Sequence, residues 1–282
     1  MKIIRYIVFL FLFVACDEKE LSINLDKHEN KLVVNSFFTS SDSISINLSK
    51  SIPVQDDDVI NFIDNADVYL YCQNELVNTM NYLGKGVYSL NTQVVCGKEY
   101  SLSVDAVGYK SVSTSNIIPD KPLVLFVDTI HISKVYLYCE LAFKNDVTSP
   151  GYYLLEAEAK YPVLNSDSVL SNHIEIINSD MIVENGDIET ELERIVFSTE
   201  LLYEPVYDLG FVLNKRKLLI TGKDNSNTVY IHFKKITEEY YLYVKSYYAS
   251  KSKQDEIYSN VKNGYGIFAG FNTVVDTIVI KE

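Results

Sequence analysis

The chain has 282 residues, with 25 Lys and Arg against 38 Asp and Glu, which gives a formal net charge of −13. Such an acidic chain lacks the basic surface that nucleic-acid binding requires. Its composition includes 22 Tyr and 13 Phe but no Trp, and 47% of the residues are hydrophobic, which is enough for substantial cores. Because Tyr, Val and Ile favour strands, this composition predicts a mainly β protein.

The first 15 residues carry the features of a cleaved signal peptide. Lys2 and Arg5 precede the unbroken apolar run Ile7 to Ala15. This run is about half of the ~20 residues that a membrane-spanning helix needs. The run ends at Phe13-Val14-Ala15-Cys16, which resembles the lipobox of bacterial lipoproteins. The resemblance implies cleavage before Cys16 and acylation of that residue with palmitate-type chains; the alternative is an ordinary secretory signal with a chance Cys.

Residues 16–30 are predicted to form an acidic tether. Asp17-Glu18-Lys19-Glu20 resembles the export signal that sends lipoproteins of Bacteroidetes to the outer face of the outer membrane. We therefore expect a lipid-anchored protein of the outer membrane that is exposed at the cell surface. The alternative is a solvated tether on the periplasmic face, since acidic polar runs are commonly disordered.

Residues 31–118 show short segments of alternating hydrophobicity, about ten residues apart, with no convincing helix. The predicted strands are Lys31–Phe38, Ile44–Leu48, Val68–Cys72, Gly86–Leu90, Tyr100–Ala106 and Lys110–Ser115. Gln73-Asn74-Glu75 is predicted to be a turn. This pattern is typical of a β-sandwich of the immunoglobulin or transthyretin type.

Pro119-Asp120-Lys121-Pro122 is the predicted linker, because two prolines in four residues interrupt both helices and central strands. Residues 123–282 are predicted to form a second, mainly β domain. Its predicted strands are Leu123–Val127, Val135–Phe143, Tyr152–Lys160, Lys217–Thr221, Val229–Lys234 and Thr277–Ile280. The stretch from Tyr161 to about Gly210 has weak periodicity and is predicted to be loops, which often contact partners.

One amphipathic helix is predicted over Glu238–Ala249, with Thr237 as its N-cap. Tyr240, Tyr243, Val244 and Tyr247 form one apolar stripe at helical spacing. We expect this stripe to pack on a sheet; the alternative is an aromatic platform for a ligand. After the helix, two glycines flank Tyr265 and allow positive φ or close approach of another strand.

Three cysteines follow Cys16. Cys72 and Cys96 lie in the same predicted module, so a disulfide between them is one alternative in an exported protein. Cys139 lies in an apolar run and is predicted to be a buried small hydrophobe. The acidic run Asp56-Asp57-Asp58 is the candidate cation loop, which either binds Ca²⁺ or is simply solvated.

Catalytic motifs are missing from the sequence. There is no GxSxG nucleophile elbow, no HExxH, and no GxGxxG or P-loop. The four histidines are scattered and show no ligand spacing: His28, His131, His173 and His232. We therefore expect no enzyme and no cofactor, although a hydrolase with two dispersed carboxylates stays open, because such pairs meet only in space.

Six motifs in order resemble one family, the DUF4249 lipoproteins of Bacteroidetes. They are Lys31–Asn35, Leu48–Val54, Val196–Leu201, Glu238–Tyr243, Tyr258–Val261 and Asn263–Phe268. Gly97–Leu102 and Gly108–Lys110 separately resemble a transthyretin- or carboxypeptidase-regulatory-like sandwich. The family resemblance implies an accessory lipoprotein that accompanies a TonB-dependent outer-membrane transporter. The alternatives are an adhesin or envelope structural protein, and the dispersed-site hydrolase.

Overall fold

A computed structural model describes residues 30–52, 60–162, 169–183, 191–215, 226–253 and 256–281. Within these ranges the chain forms 18 strands and one helix, which confirms the predicted all-β fold. The strands make three sheets of nine, five and four strands.

The first eight strands build an N-terminal sandwich. They are β1 Leu32–Phe38, β2 Ser43–Lys50, β3 Ala66–Cys72, β4 Glu75–Thr79, β5 Asn81–Gly84, β6 Val87–Asn91, β7 Glu99–Ala106 and β8 Val112–Ile117. The four-stranded sheet, in the order β4-β3-β7-β8, packs against β1, β2 and β6 around one apolar core. Gln73 and Asn74 both have positive φ, as a tight turn between β3 and β4 requires, so the predicted turn is confirmed.

The remaining elements build a second sandwich. They are β9 Val124–Ile132, β10 Tyr136–Lys144, β11 Tyr152–Pro162, β12 Val169–Ile174, β13 Ile176–Asn178, β14 Glu191–Leu192, β15 Arg194–Ser198, β16 Val206–Asn214, β17 Ser226–Ile236, α1 Glu238–Lys253 and β18 Tyr265–Lys281. The five-stranded sheet, β14-β13-β16-β10-β9, packs on the part of the nine-stranded sheet that contains β11, β15 and β17.

The prediction of loops between Tyr161 and Gly210 is wrong, because β12 to β16 lie in or overlap this stretch. β15 shows why the pattern was weak. Ile195 and Phe197 face the core of the second sandwich, while Val196 on the opposite side lies under the helix. A strand buried on both faces has no polar side to alternate with. The predicted strand Lys217–Thr221 lies outside the described residues.

The last strand is much longer than the predicted Thr277–Ile280. β18 pairs antiparallel with β17 from Phe271 to Lys281, and its first six residues pair in parallel with β1. The nine-stranded sheet therefore follows the order β12-β11-β17-β18-β1-β2-β6-β5, with β15 also paired to β11. It contains strands from both sides of the predicted linker at residues 119–122.

Gly266 permits the parallel contact between β18 and β1. Its φ is +108°, and a Cβ atom there would lie 2.0 Å from the carbonyl oxygen of Val34. At Gly264 a Cβ would lie 2.6 Å from the carbonyl oxygen of Leu32. The predicted close approach at these two glycines is therefore confirmed.

The helix packs on the outer face of the nine-stranded sheet. Tyr240 and Val244 are buried against Leu154, Val196 and Ile267, which confirms the predicted packing of the stripe. The carbonyl oxygen of Thr237 accepts a hydrogen bond from the Tyr241 N–H at 3.0 Å, but the buried Thr237 hydroxyl has no partner. Thr237 therefore occupies the predicted N-cap position, but its side chain does not make the capping hydrogen bond. Within the described residues, no helix is long and apolar enough to cross a membrane.

Candidate functional site

An aromatic cleft lies beside α1, where β1, β15 and the helix meet. Phe38 points into the N-terminal core, so strand alternation turns Phe37 to the helix side. The Phe37 ring stacks on Tyr240 with centroids 4.4 Å apart, and Tyr243 packs edge-on at 5.8 Å. The cleft has a volume of about 260 Å³ and is lined by Phe37, Glu193, Arg194, Tyr243, Val244, Tyr247 and Tyr248.

The cleft keeps aromatic surface accessible to a partner. Phe37 is 42% exposed and Tyr247 is 40% exposed. Burial raises the pKa of Tyr243 and of Tyr248 above the ordinary value of 10, so both hydroxyls stay protonated and can donate hydrogen bonds at neutral pH. The Lys251 ammonium lies 4.7 Å from the Tyr247 ring centroid, a cation–π contact at the outer end of the cleft.

A buried ion-pair network holds Arg194 at the edge of this cleft. The carboxylate of Glu156, on β11, is 3.3 Å from Arg194 Nε and also accepts a hydrogen bond from the Lys234 ammonium. Glu156 is only 7% exposed. Burial alone would raise the pKa of Glu156, but Lys234 and then Arg194 lower it more, so its pKa lies below the ordinary value. The network therefore keeps Glu156 ionised and restrains the guanidinium.

A second carboxylate lies two residues further along β11, on the same face. Glu158 accepts a hydrogen bond from the Ser171 hydroxyl, and His232 Nε2 lies 3.0 Å from its carboxylate. Lys160 forms a looser pair with it at 3.7 Å. Burial raises the pKa of Glu158, but Ser171 and His232 lower it further than burial raises it.

Among the described residues, these two neighbouring carboxylates are a candidate for the dispersed pair of a hydrolase. Glycoside hydrolysis needs one carboxyl group with a raised pKa to protonate the leaving group. Glu156 and Glu158 both have lowered pKa values, so both are ionised at neutral pH. Their chemistry suits ion pairing and charge display on the sheet face, and neither group suits the role of general acid.

Only some of the predicted site residues lie in the described part of the chain. Cys16, His28 and Asp56-Asp57-Asp58 lie outside the described residues. Within the described part of the chain, no group of three or more His, Cys, Asp or Glu side chains could hold a metal ion. The three described histidines lie on three different strands, β9, β12 and β17.

The three cysteines in the described part of the chain are free thiols. The disulfide considered between Cys72 and Cys96 is not formed. Cys96 instead donates a hydrogen bond to the Pro119 carbonyl oxygen at 3.3 Å, at the start of the linker. Cys139 is buried, as predicted, and burial raises the pKa of its thiol to about 12.

Sequence patterns missed half of the cleft. Helical spacing identifies Tyr243 and Tyr247, whereas Phe37 and Arg194 come from strands far away along the chain. Glu156 alternates with leucine and alanine on β11, and this exception to an apolar run was the one available signal. Its partner Lys234 is 78 residues away, and strand register over that distance is not readable from local pattern.

These features define an all-β protein with two sandwiches on a shared sheet and an aromatic cleft beside a surface helix. The chain belongs to the DUF4249 family, whose model is described as a domain of unknown function and matches residues 18–277. This match confirms the family resemblance predicted from the six motifs. No curated protein matches the chain.

Proposed function

We propose that this protein is a non-enzymatic lipoprotein of the outer membrane that binds a TonB-dependent transporter as an accessory subunit. Acyl chains on Cys16 are the proposed anchor, since each buried CH₂ contributes about 0.8 kcal/mol to membrane binding. The match to the family starts at residue 18, two residues after Cys16, so the proposed signal peptide and lipobox precede the matched region.

The aromatic cleft is the single observation that carries the binding role. Tyr and Arg are enriched among the residues that dominate protein interfaces, because rigid rings give a large contact area at low entropic cost. The cleft combines Tyr243, Tyr247 and Tyr248 with Arg194, whose position is already fixed by Glu156. Pre-organised side chains of this kind lose little conformational entropy when a partner binds.

The test is isolation of the tagged protein from outer membranes solubilised in a mild detergent. We expect a TonB-dependent barrel to co-isolate, identified by mass spectrometry. Replacing Phe37 and Tyr247 together by Ala should reduce the recovered barrel about tenfold or more, the loss typical of interface anchors. Tyr82→Ala is the matched control, because Tyr82 is 41% exposed on β5, away from the cleft. Recovery of the protein alone would contradict the proposal.

A further inference from the structure

The β9 edge of the five-stranded sheet is unusually apolar. β9 is the last strand in its sheet and, among the described strands, pairs only with β10. None of its nine residues is buried, whereas β10 beside it has five buried residues. Six apolar or aromatic side chains at this edge are 39% to 64% exposed: Leu123, Leu125, Phe126, Ile130, Ile132 and Tyr138. A cluster of this kind marks an interaction surface, unlike single exposed hydrophobes.

Two bulges shape this edge. The register between β9 and β10 shifts between Tyr138 and Cys139 and again between Ala142 and Phe143. These shifts leave Ile130 and Leu125 without partners on β10 and project them outward. Bulges interrupt long flat pairing between identical edges. The regular part of the edge is therefore the short segment 126–129, which suits a short added strand.

Three carboxylates, those of Asp128, Glu140 and Asp208, lie next to the apolar edge. Asp128 on β9 is directly opposite Glu140 on β10, and Asp208 on β16 lies on the same outer face, opposite Ala142. Like charges opposite each other destabilise a sheet. Among the described residues no salt bridge neutralises these three carboxylates. The edge therefore offers apolar contacts, and its carboxylates attract cationic groups.

We propose that the β9 edge accepts an extended segment of a partner protein that carries apolar and basic side chains in alternation. The segment would pair with the main chain of residues 126–129 and place alternate Lys or Arg side chains on the outer face, with their charges near Asp128 and Glu140 and their aliphatic stems over Phe126 and Ile130. Its apolar side chains would lie on the opposite face, beside Val127. Main-chain hydrogen bonds give affinity in this mode of strand addition, and alternate side chains give specificity. The inference deepens the proposed function, on which it rests, since it adds a second contact surface beside the aromatic cleft and names the chemistry of the segment that binds there.

Charge also decides against a second copy as the occupant. Each chain has a formal net charge of −13, so two copies repel each other over their whole surfaces. Pairing of two identical β9 edges would also bring Asp128 of each copy to the same junction. A basic segment from another protein removes this repulsion, whereas self-association adds to it.

The direct test uses the purified mature protein and a synthetic ten-residue peptide that alternates Val and Lys. We expect this peptide to bind and to protect the amides of residues 125–131 from hydrogen exchange. A matched peptide with Glu in place of Lys, and a Val-Lys peptide N-methylated at alternate positions, should bind at least tenfold more weakly. Protection elsewhere, equal binding of the three peptides, or no binding at all would overturn the proposal.

Variants locate the site and separate this proposal from the transporter proposal. Asp128→Lys and Ile130→Lys should each weaken peptide binding about tenfold or more, whereas Leu83→Lys, at a 68% exposed position on β5, should not. A concentration-dependent dimer that Ile130→Lys abolishes would overturn the proposal in favour of a second copy. If a transporter co-isolates equally with wild type and Ile130→Lys, the edge proposal fails and the transporter proposal stands. If the peptide binds as expected but no transporter co-isolates, the transporter proposal fails and the edge proposal stands.

Discussion

Phe38 and Phe268 stack with their ring centroids 4.3 Å apart, which places a residue of the last strand inside the core of the first sandwich. The same strand places Ile267 and Ala269 under the helix, and Ile278 and Ile280 in the core of the second sandwich. β18 therefore contributes to all three apolar clusters. Its parallel contact with β1 joins parts of the chain more than 230 residues apart.

Phe268→Ala should destabilise the protein by about 3–5 kcal/mol, because the ring is fully buried and its loss leaves a cavity. Urea unfolding followed by circular dichroism measures this change in the free energy of unfolding. Val279→Ala, on the same strand but 55% exposed, is the control and should change the free energy of unfolding by less than about 0.5 kcal/mol. Equal effects of the two substitutions would contradict the position of Phe268 in the core.

Gly266→Ala should cost about 2 kcal/mol or more, because it combines an unfavourable positive φ with a clash against the Val34 carbonyl oxygen. Gly84→Ala is a matched control for the backbone strain alone. Gly84 has a φ of +105°, and a Cβ there would meet nothing within 4 Å. A larger loss at Gly266 than at Gly84, measured by thermal unfolding, would reflect the close approach of β1 and β18. If the two losses are equal, the close approach has no energetic consequence.

Glu156→Gln should destabilise the protein by about 3 kcal/mol, since it leaves the charges of Lys234 and Arg194 without their buried counter-ion. The control is Glu158→Gln. The partners of Glu158 are more exposed, and the side chain of Lys160 is 43% exposed. Glu158→Gln should therefore lower the free energy of unfolding by about 1 kcal/mol or less. Urea is the suitable denaturant, because guanidinium is itself a salt and screens ion pairs. An unchanged free energy of unfolding in Glu156→Gln would contradict the described network.

The same network predicts how stability depends on acid. The pKa of Glu156 and that of Glu158 lie below the ordinary value of 4.5 in the folded protein. A group with a lowered folded-state pKa stabilises the fold above its unfolded pKa, and this stability is lost as pH falls through the folded pKa. The melting temperature of the wild type should therefore fall as the pH drops below about 4.5. In Glu156→Gln this fall should be shallower; an unchanged acid slope would count against the pairing.

The three described cysteines should differ in reactivity towards a thiol reagent. Cys139 is buried and its pKa is raised to about 12, so it should react only after unfolding. Cys72 and Cys96 are partly exposed free thiols and should be modified in the native protein. Mass spectrometry of the labelled, purified protein identifies each site. Modification of Cys72 and Cys96 only after reduction would show that the protein in solution forms the disulfide that the structure lacks.

Local sequence patterns predicted the elements whose two faces differ. The alternation of Ile44 and Ile46 with serine and asparagine identified β2, and the spacing of Tyr240 and Val244 identified the helix. The same method failed where both faces are covered. β15 has three consecutive buried residues. The start of β18 packs into the core of the first sandwich with one face and against the helix with the other.

Long-range register accounts for the other failures. No local pattern indicates that Tyr265 pairs with Val33, or that Phe37 meets Tyr240, because these contacts depend on the topology of the whole sheet. The sequence could therefore predict only those residues of the aromatic cleft that lie on the helix. The charged network could not be predicted at all, since Glu156, Arg194 and Lys234 come together only through strand pairing.

Labelling of cells with a palmitate analogue tests the proposed anchoring at Cys16 most directly. The wild-type protein should incorporate the label and fractionate with the outer membrane. Cys16→Ser should incorporate none and should leave the membrane fraction, since the acyl chains provide the proposed attachment. A wild-type protein that takes up no label, together with a Cys16→Ser variant that still fractionates with membranes, would contradict the account.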